Sequence, residues 1–157
     1  MPDLSKLITS LHPDLRAEME AHAILQEIAQ GTEILREGQY VKVIPLVLEG
    51  LIKVYSRHED KELLLYYIKS QESCIMSFAA GMKNEPSKIF AIAEEDTRVL
   101  LLPTDKVAQW VRRFPDVNQL FFQQYNIRYT DLLATIHQLL FDRMDKRILD
   151  YLVNKSM

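Results

Sequence analysis

The chain has 157 residues, of which 48% are hydrophobic and 26% charged, so it is expected to fold as one domain with an additional helix rather than to be disordered. A net charge of −3 argues against the basic surface that binds DNA directly. No apolar run approaches the roughly 20 residues that span a bilayer, residues 1–6 lack the pattern of a signal peptide, and a single cysteine, Cys74, allows no internal disulfide. We therefore expect a cytoplasmic protein that does not enter the membrane.

The first predicted element is a helix, within an N-terminal helical segment of residues 1–24. His12 is placed as its N-cap and Pro13 as its first residue, where proline is favoured, and Asp14 would lie at the positive end of the helix dipole. Four side chains then recur at helical spacing. These are Leu11, Leu15, Met19 and His22.

Residues 25–103 are predicted to form a β-roll. Short runs rich in Val, Ile, Leu and Tyr alternate with turn residues, as in an antiparallel roll or barrel. The predicted strands cover residues 32–35, 44–48, 51–55, 63–68, 89–93 and 98–102. Pro45 fits the start of a strand or an edge strand, and the charged residues 57–61 fit a hairpin tip. The sequence thus indicates a mainly β fold with flanking helices.

Residues 104–140 are predicted to contain a short helix followed by a long one. Thr104 is a plausible N-cap for the short helix, which ends near Phe114, and Pro115 begins the long helix. Apolar residues of the long helix follow the alternating spacing of three and four that is typical of a coiled coil. This row consists of Phe122, Tyr125, Tyr129, Leu132, Ile136 and Leu139.

A second apolar row on the long helix, formed by Phe121, Leu133 and Leu140, is predicted to face the roll. One helix with two apolar rows needs two partners, and a symmetry-related copy is the natural second one. The row of six therefore predicts a homodimer interface. The alternative is a monomer in which both rows form one wide stripe against the core.

Residues 141–157 are predicted to be a hinge and the start of a further domain that is missing from the chain. Asp142 is a good N-cap for a new helix, and Phe141 and Asp142 would form the hinge. The new helix has an apolar face that no later residue covers. This face consists of Met144, Ile148, Leu149 and Leu152.

In this order the elements resemble the Crp/Fnr family of bacterial transcription regulators. Residues 32–39 resemble the family's first strand and glycine turn, residues 48–55 its G-x-x-x-V hairpin, residues 96–103 its last roll strand, and residues 141–152 its hinge. The resemblance extends from about Pro13 to the end of the chain. It implies a double-stranded β-helix, or jelly roll, that receives a signal and shifts a dimerisation helix. DNA and RNA polymerase would be contacted only through the winged helix-turn-helix domain that this chain lacks.

The resemblance is weakest in the segment with which relatives hold cyclic nucleotides. Those relatives carry Gly-Glu before a short helical turn and Arg-Ser or Arg-Thr after it, whereas Ile75–Met76 and Ser87–Lys88 stand there in this chain. Asp131 falls near the positions where they place small hydroxyl residues against the base. Each lost charge-assisted contact is worth about 1.5–3 kcal/mol. The sequence therefore argues against cAMP or cGMP as the effector.

The other polar residues of this segment predict a pocket for a different small effector, and an anion is one candidate. Ser73, Ser77 and Ser87 offer hydroxyl groups, Lys88 offers a cation, and a helix starting near Ser77 would attract an anion. The predicted ligand-binding residues are Cys74, Ile75, Met76, Ser77, Ser87, Lys88 and Asp131. In the alternative these residues only cap a turn, and other side chains fill the roll interior. Those side chains would be Met76, Phe78, Met82 and Phe90.

Metal and redox chemistry find little support in the sequence. An iron–sulfur cluster needs about four cysteines, so Cys74 is either a buried inert residue or a lone redox switch. The four histidines are scattered, and only His137 on the long helix is a candidate to bind haem. An enzyme of the cupin type needs a His/Glu metal cluster on strands, and the strand region holds only His58. We expect a non-enzymatic sensor domain of a transcription regulator; the alternative is a stand-alone module that binds a nucleotide or another small anion.

Overall fold

A computed structural model describes residues 10–155. Residues 1–6, which were tested for a signal peptide, and the first nine residues of the predicted N-terminal helical segment lie outside this range. The chain divides into two compact units, Met1–Gln124 and Tyr125–Met157. The helices are α1 (Pro13–His22), α2 (Ile75–Lys83), α3 (Thr104–Arg113) and α4 (Pro115–Lys155). The strands are β1 (Ile24–Ile28), β2 (Glu33–Leu35), β3 (Val43–Glu49), β4 (Ile52–His58), β5 (Lys61–Ile68), β6 (Phe90–Ala93) and β7 (Thr97–Pro103).

The strands form two antiparallel sheets, one in the order β1-β7-β3 and the other in the order β2-β6-β4-β5. Buried side chains from both sheets form one inner cluster, so the sheets enclose it face to face. Its members are Ile28, Leu35, Val41, Val47, Ile52, Val54, Ile68, Cys74, Ile89, Ala91, Ala93 and Val99. The predicted fold class, a β-roll followed by a long helix, is confirmed.

The outer face of the β1-β7-β3 sheet carries a second core, against which the helices pack. Because successive side chains of a strand point to opposite faces, Ile44, Leu46 and Leu48 of β3 belong to this outer core whereas Val47 belongs to the inner one. Trp110 of α3 is fully buried in the outer core. Strand β3 lies at the edge of its sheet, which explains how it tolerates Pro45.

The predicted start of α1 is confirmed. The imidazole Nδ1 of His12 accepts a hydrogen bond from the backbone N–H of Asp14 at 3.1 Å, and Leu15 and Met19 are buried. Near the end of this helix Arg113 donates to Glu18 Oε1 at 3.1 Å. This hydrogen bond holds the pKa of the Glu18 carboxyl below its usual range.

All six predicted strands are present, with bounds that differ by one to three residues, and the β4–β5 turn lies within the predicted hairpin tip. Strand β1 was not predicted. Two predicted helix caps are wrong. Thr104 is the first residue of α3 rather than its N-cap, and its hydroxyl donates to the carbonyl of Lys42 at 3.3 Å. Asp142 starts no new helix, because α4 runs unbroken through it.

The second unit, considered alone, consists of the part of α4 that follows Gln124. Five apolar residues predicted to form the dimer row lie here, and all are exposed: Tyr125, Tyr129, Leu132, Ile136 and Leu139. Leu133 and Leu140 of the second predicted row are also exposed, whereas Phe121, which belongs to the first unit, is buried in the outer core. Among the helices within residues 10–155, none is long and apolar enough to cross a membrane.

Candidate functional site

The site is organised around the start of α2, where Cys74 acts as the N-cap. Its Sγ accepts from the backbone N–H of Ser77 at 3.4 Å and from the Ser77 hydroxyl at 3.1 Å. The Tyr66 hydroxyl lies 3.5 Å from the same sulfur. Cys74 and Ser77 are both buried. A thiol thus serves as the capping acceptor that Ser or Asp would usually supply.

The residue before this cap ties the start of α2 to its neighbours. The Ser73 hydroxyl donates to the carbonyl of Pro45 on β3 at 2.8 Å. Its backbone N–H donates to the side-chain oxygen of Gln124 on α4 at 3.1 Å. Both Ser73 and Gln124 are buried. A movement at the start of α2 would therefore act directly on these two elements.

The loop after α2 is closed by Ser87. Its hydroxyl donates to the carbonyl of Ile89 at 2.8 Å and accepts from the Ile89 N–H at 3.1 Å. The backbone of Ser87 also pairs with the β2–β3 connection, through Gln39 O at 2.7 Å and Gly38 N at 2.8 Å. Neighbouring Lys88 is exposed. The only donor of the Ser87 hydroxyl is thus already used within the loop.

A cavity of about 250 Å³ opens beside the start of α2. Its wall is mostly aliphatic, with polar groups from the β2–β3 connection and from α2. The lining residues are Ile34, Leu35, Gln39, Tyr40, Lys42, Val43, Pro45, Ile68, Cys74, Ser77 and Ala91. Gln39, Tyr40 and Lys42 are exposed whereas Leu35, Ile68 and Ala91 are buried. The cavity therefore has a polar mouth and an apolar interior.

Residues 25–114 match the sequence pattern of the cyclic nucleotide-binding domain, and this stretch contains the roll, the cavity and α3. The chain belongs to that family. A comparison with curated proteins found no match.

Solved structures share the fold of this cyclic nucleotide-binding domain. A protein of Eubacterium rectale described as a transcriptional regulator of the Crp/Fnr family superposes with a TM-score of 0.75 at 21% identity, covering 97% of this chain and 71% of that one. The catabolite activator protein of Thermus thermophilus gives 0.67 at 22%, covering 87% and 64%. The c-di-GMP-responsive global regulator CLP of Xanthomonas campestris gives 0.67 at 17%, covering 80% and 63%. The predicted resemblance to Crp/Fnr regulators is thus confirmed for the fold, and the chain spans less than two thirds of the last two proteins.

Of the predicted ligand-binding residues, the domain brings Cys74 and Ser77 to the cavity. Ile75 and Met76 are the first two residues of α2, and Met76 packs against the inner cluster. Ser87 closes the loop described above, and Lys88 is not among the cavity's described lining residues. Asp131 lies in the second unit, where it is exposed and pairs with Arg128 at 3.5 Å. The binding role of these residues stays a prediction.

The residues that the sequence failed to indicate are those of the cavity mouth, Gln39, Tyr40 and Lys42. They lie more than thirty residues before α2, and the pairing of Gln39 with Ser87 brings their loop to the site. An isolated bridge between Tyr40 and Pro86 joins the same two loops. No local motif encodes a long-range pairing of this kind.

The alternative in which four side chains fill the roll interior is mostly wrong. Phe78 stacks on Phe121 with ring centroids 4.0 Å apart, and it packs with Met82 against the outer core. Phe90 stacks on Tyr55 at 5.3 Å instead of entering the inner cluster. Only Met76 packs against that cluster.

Charged groups elsewhere form a second, wider groove beside β1 and β7, of about 450 Å³. It is lined by Glu27, Ile28, Ala29, Glu49, Asp96, Thr97 and Arg98. Arg98 lies 3.9 Å from Glu27 and partly balances the carboxylates. Within residues 10–155 no three His, Cys, Asp or Glu side chains are grouped so that they could hold a metal ion. His137, the residue considered for haem, is exposed on α4.

Proposed function

We propose that this chain is the sensor region of a DNA-binding transcription regulator, in which an effector bound in the roll changes the pairing of α4 in a homodimer. In this proposal residues 25–103 form the effector domain, residues 104–140 contain the dimerisation helix, and residues 141–157 lead to a DNA-binding domain outside this chain. DNA and RNA polymerase would be contacted through that domain. Helix α1, the described part of the N-terminal helical segment, packs against the outer core through Leu15 and Met19.

The observation that carries the proposal is the exposed apolar row on α4. Tyr125, Tyr129, Leu132, Ile136 and Leu139 are between 42% and 62% exposed, although their spacing of four and three matches a coiled-coil seam. Phe122, the first residue of the row, is exposed as well. An apolar row of this length is typical of a surface that a partner covers. A second copy of α4 presents the complementary row by symmetry.

The apolar pattern changes near Phe141, which supports a functional boundary there. At about 100° per residue, the row from Tyr125 to Leu139 and the later face are centred about 160° apart around the helix. The later face consists of Met144, Ile148, Leu149 and Leu152. One coiled-coil partner cannot cover both faces. The later face is also exposed, and it suits the different domain to which the proposed hinge at Phe141 and Asp142 would lead.

The hydrogen bond between Ser73 and Gln124 offers a route for the signal. Ser73 precedes the cavity residue Cys74, and Gln124 precedes Tyr125, the second residue of the apolar row. An effector that favours one position of the start of α2 would favour one position of Gln124. For the signal to be transmitted, the effector must bind one dimer arrangement more tightly than the other.

The proposed effector is a small molecule other than cAMP or cGMP. The described lining of the cavity contains no arginine and no carboxylate, so it offers neither a guanidinium fork for a cyclic phosphate nor a charged acceptor for a ribose hydroxyl. The relative from X. campestris is named as responsive to c-di-GMP, so a shared fold does not fix the signal.

Sedimentation velocity of the chain and of two glutamate variants tests the proposal. Each buried leucine contributes about 1.5–3 kcal/mol, and a twofold interface loses two of them. Leu132→Glu should therefore weaken dimerisation by at least about a hundredfold. Gln138→Glu introduces the same charge about 140° around α4 from the centre of the row, outside the coiled-coil seam, and should leave the dimer intact. A chain that is monomeric at every concentration, or two variants with equal effects, would contradict the proposal.

A further inference from the structure

We infer that the cavity beside α2 binds a small organic monoanion: an apolar body of about ten non-hydrogen atoms that carries a single acidic group. This inference deepens the proposed function, on which it rests, because it names the effector class of the same site. It depends on the size of the cavity, on the aliphatic character of its interior and on the position of Lys42.

The size of the cavity limits the ligand. A cavity of about 150 Å³ lined by aliphatic and aromatic side chains holds benzene, with its six carbon atoms. In the same proportion, the volume of about 250 Å³ holds about ten non-hydrogen atoms. A cyclic nucleotide has about twice that number of non-hydrogen atoms, which is more than this volume holds.

The wall sets the character of the ligand's body. Leu35, Pro45, Ile68 and Ala91 are buried and line the interior, and the half-buried Ile34 and Val43 extend this apolar surface. Two polar side chains interrupt the interior, Cys74 and Ser77. They satisfy each other, since the Ser77 hydroxyl already donates to Cys74 Sγ. The interior thus favours hydrocarbon, and Ser77 Oγ retains acceptor capacity for at most a weak polar contact.

The mouth sets the charge of the ligand. Lys42 is the only cationic residue in the described lining, which contains no carboxylate to compete for it. Within residues 10–155 no acidic side chain forms an ion pair with Lys42. Its backbone is fixed, because its carbonyl accepts from the N–H of Thr104 at 3.0 Å and from the Thr104 hydroxyl at 3.3 Å. The phenol of Tyr40 and the amide of Gln39 can add hydrogen bonds to an acid at the same end.

Two lysines allow a matched test of this assignment. Lys42 lines the cavity, whereas Lys88, which the sequence indicated as the anion-binding cation, does not belong to the described lining. Both are exposed, so Lys42→Gln and Lys88→Gln should fold like the parent chain, which circular dichroism would verify. The probes are benzoate, hexanoate, the neutral amides benzamide and hexanamide, and cAMP, each titrated into the ¹⁵N-labelled full chain and followed by NMR.

Benzoate and hexanoate should bind with Kd values of about 0.1–1 mM and shift the amide signals of Cys74 and Ser77. The amides should bind about two- to fivefold more weakly, because an ion pair at a partly exposed site contributes no more than that. Lys42→Gln should abolish the preference for acid over amide, and Lys88→Gln should preserve it. Tighter binding of cAMP than of benzoate, equal binding of acids and amides, equal effects of the two lysine variants, or the absence of any shift at Cys74 and Ser77 would overturn the assignment.

The two proposals fail separately. If the chain forms the α4 dimer but binds no monoanion in this cavity, the effector class is wrong and the proposed sensor dimer stands. If benzoate binds as expected but the chain is monomeric, the ligand site stands and the proposed function fails.

Discussion

Replacing Gly50 by alanine tests the close approach that closes the β3–β4 hairpin. Gly50 has φ +111°, a backbone conformation that costs an L-residue about 1–2 kcal/mol. A Cβ atom there would lie 2.5 Å from Thr97 Oγ1, 2.7 Å from Thr97 Cα and 2.8 Å from the carbonyl oxygen of Asp96. Two of these atoms are backbone, so β7 or the hairpin must shift, at a cost of about 1–3 kcal/mol. The sum of about 2–5 kcal/mol is a large share of the roughly 5–15 kcal/mol that stabilises a domain.

The matched control is Gly38→Ala. Gly38 has φ +88°, but nothing lies within 4 Å of a Cβ placed there. The free energy of unfolding of this variant should therefore fall only by the cost of the backbone conformation. Urea unfolding followed by circular dichroism measures both variants, and a lower midpoint at an unchanged slope reports a loss of stability. Gly50→Ala should be the less stable of the two by at least about 1 kcal/mol. Equal losses would refute the reasoning that steric contact with Thr97, and not only backbone strain, requires the glycine.

Three further predictions concern individual polar contacts. Gln124→Leu leaves the buried N–H of Ser73 without its acceptor and should cost about 1–3 kcal/mol in urea unfolding; no loss would mean that the contact contributes nothing. Cys74→Ala removes the cap of α2 and should cost about 0.5–2 kcal/mol, whereas Cys74→Ser, which retains an acceptor, should cost less; the reverse order would contradict a capping role. The pKa of Glu18 is lowered by its hydrogen bond with Arg113, so the ion pair stabilises the fold above the carboxyl's unfolded pKa and is lost as the pH falls through the folded value. The difference in Tm between the parent and Glu18→Gln should therefore shrink below about pH 4, and a difference that grows on acidification would reverse the sign.

The roll could be predicted because its strands alternate over short runs between clear turns. Strand β1 was missed because its own residues give little sign of it: Ile24 and Leu25 are exposed, and only Ile28 is buried. Its pairing with β7 joins Ile24 to Leu101, across most of the roll sequence. A strand specified by such a distant partner carries no local signal that distinguishes it from the connection around it.

The wrong prediction at Asp142 has a different cause. Aspartate is a strong N-cap, but inside a helix it is less favourable than alanine by only about 0.7 kcal/mol or less. Neither glycine nor proline stands between Leu140 and Met144 to break the chain of hydrogen bonds. The helix therefore continues through Asp142. A capping residue alone does not end the preceding helix, whereas the change of apolar face near Phe141 can still mark a boundary in function.

The sequence could not show which hydroxyl groups remain able to donate to a ligand, because a serine has one hydroxyl proton to donate. Ser73, Ser77 and Ser87 were proposed as donors to an effector, yet each donates within the fold, to Pro45, Cys74 and Ile89. These bonds hold the start of α2 and the loop after it in place. The capacity to bind an anion then has to come from a group that the fold leaves unused. In the proposed effector site that group is Lys42 of the β2–β3 connection, a segment that no sequence pattern associated with α2.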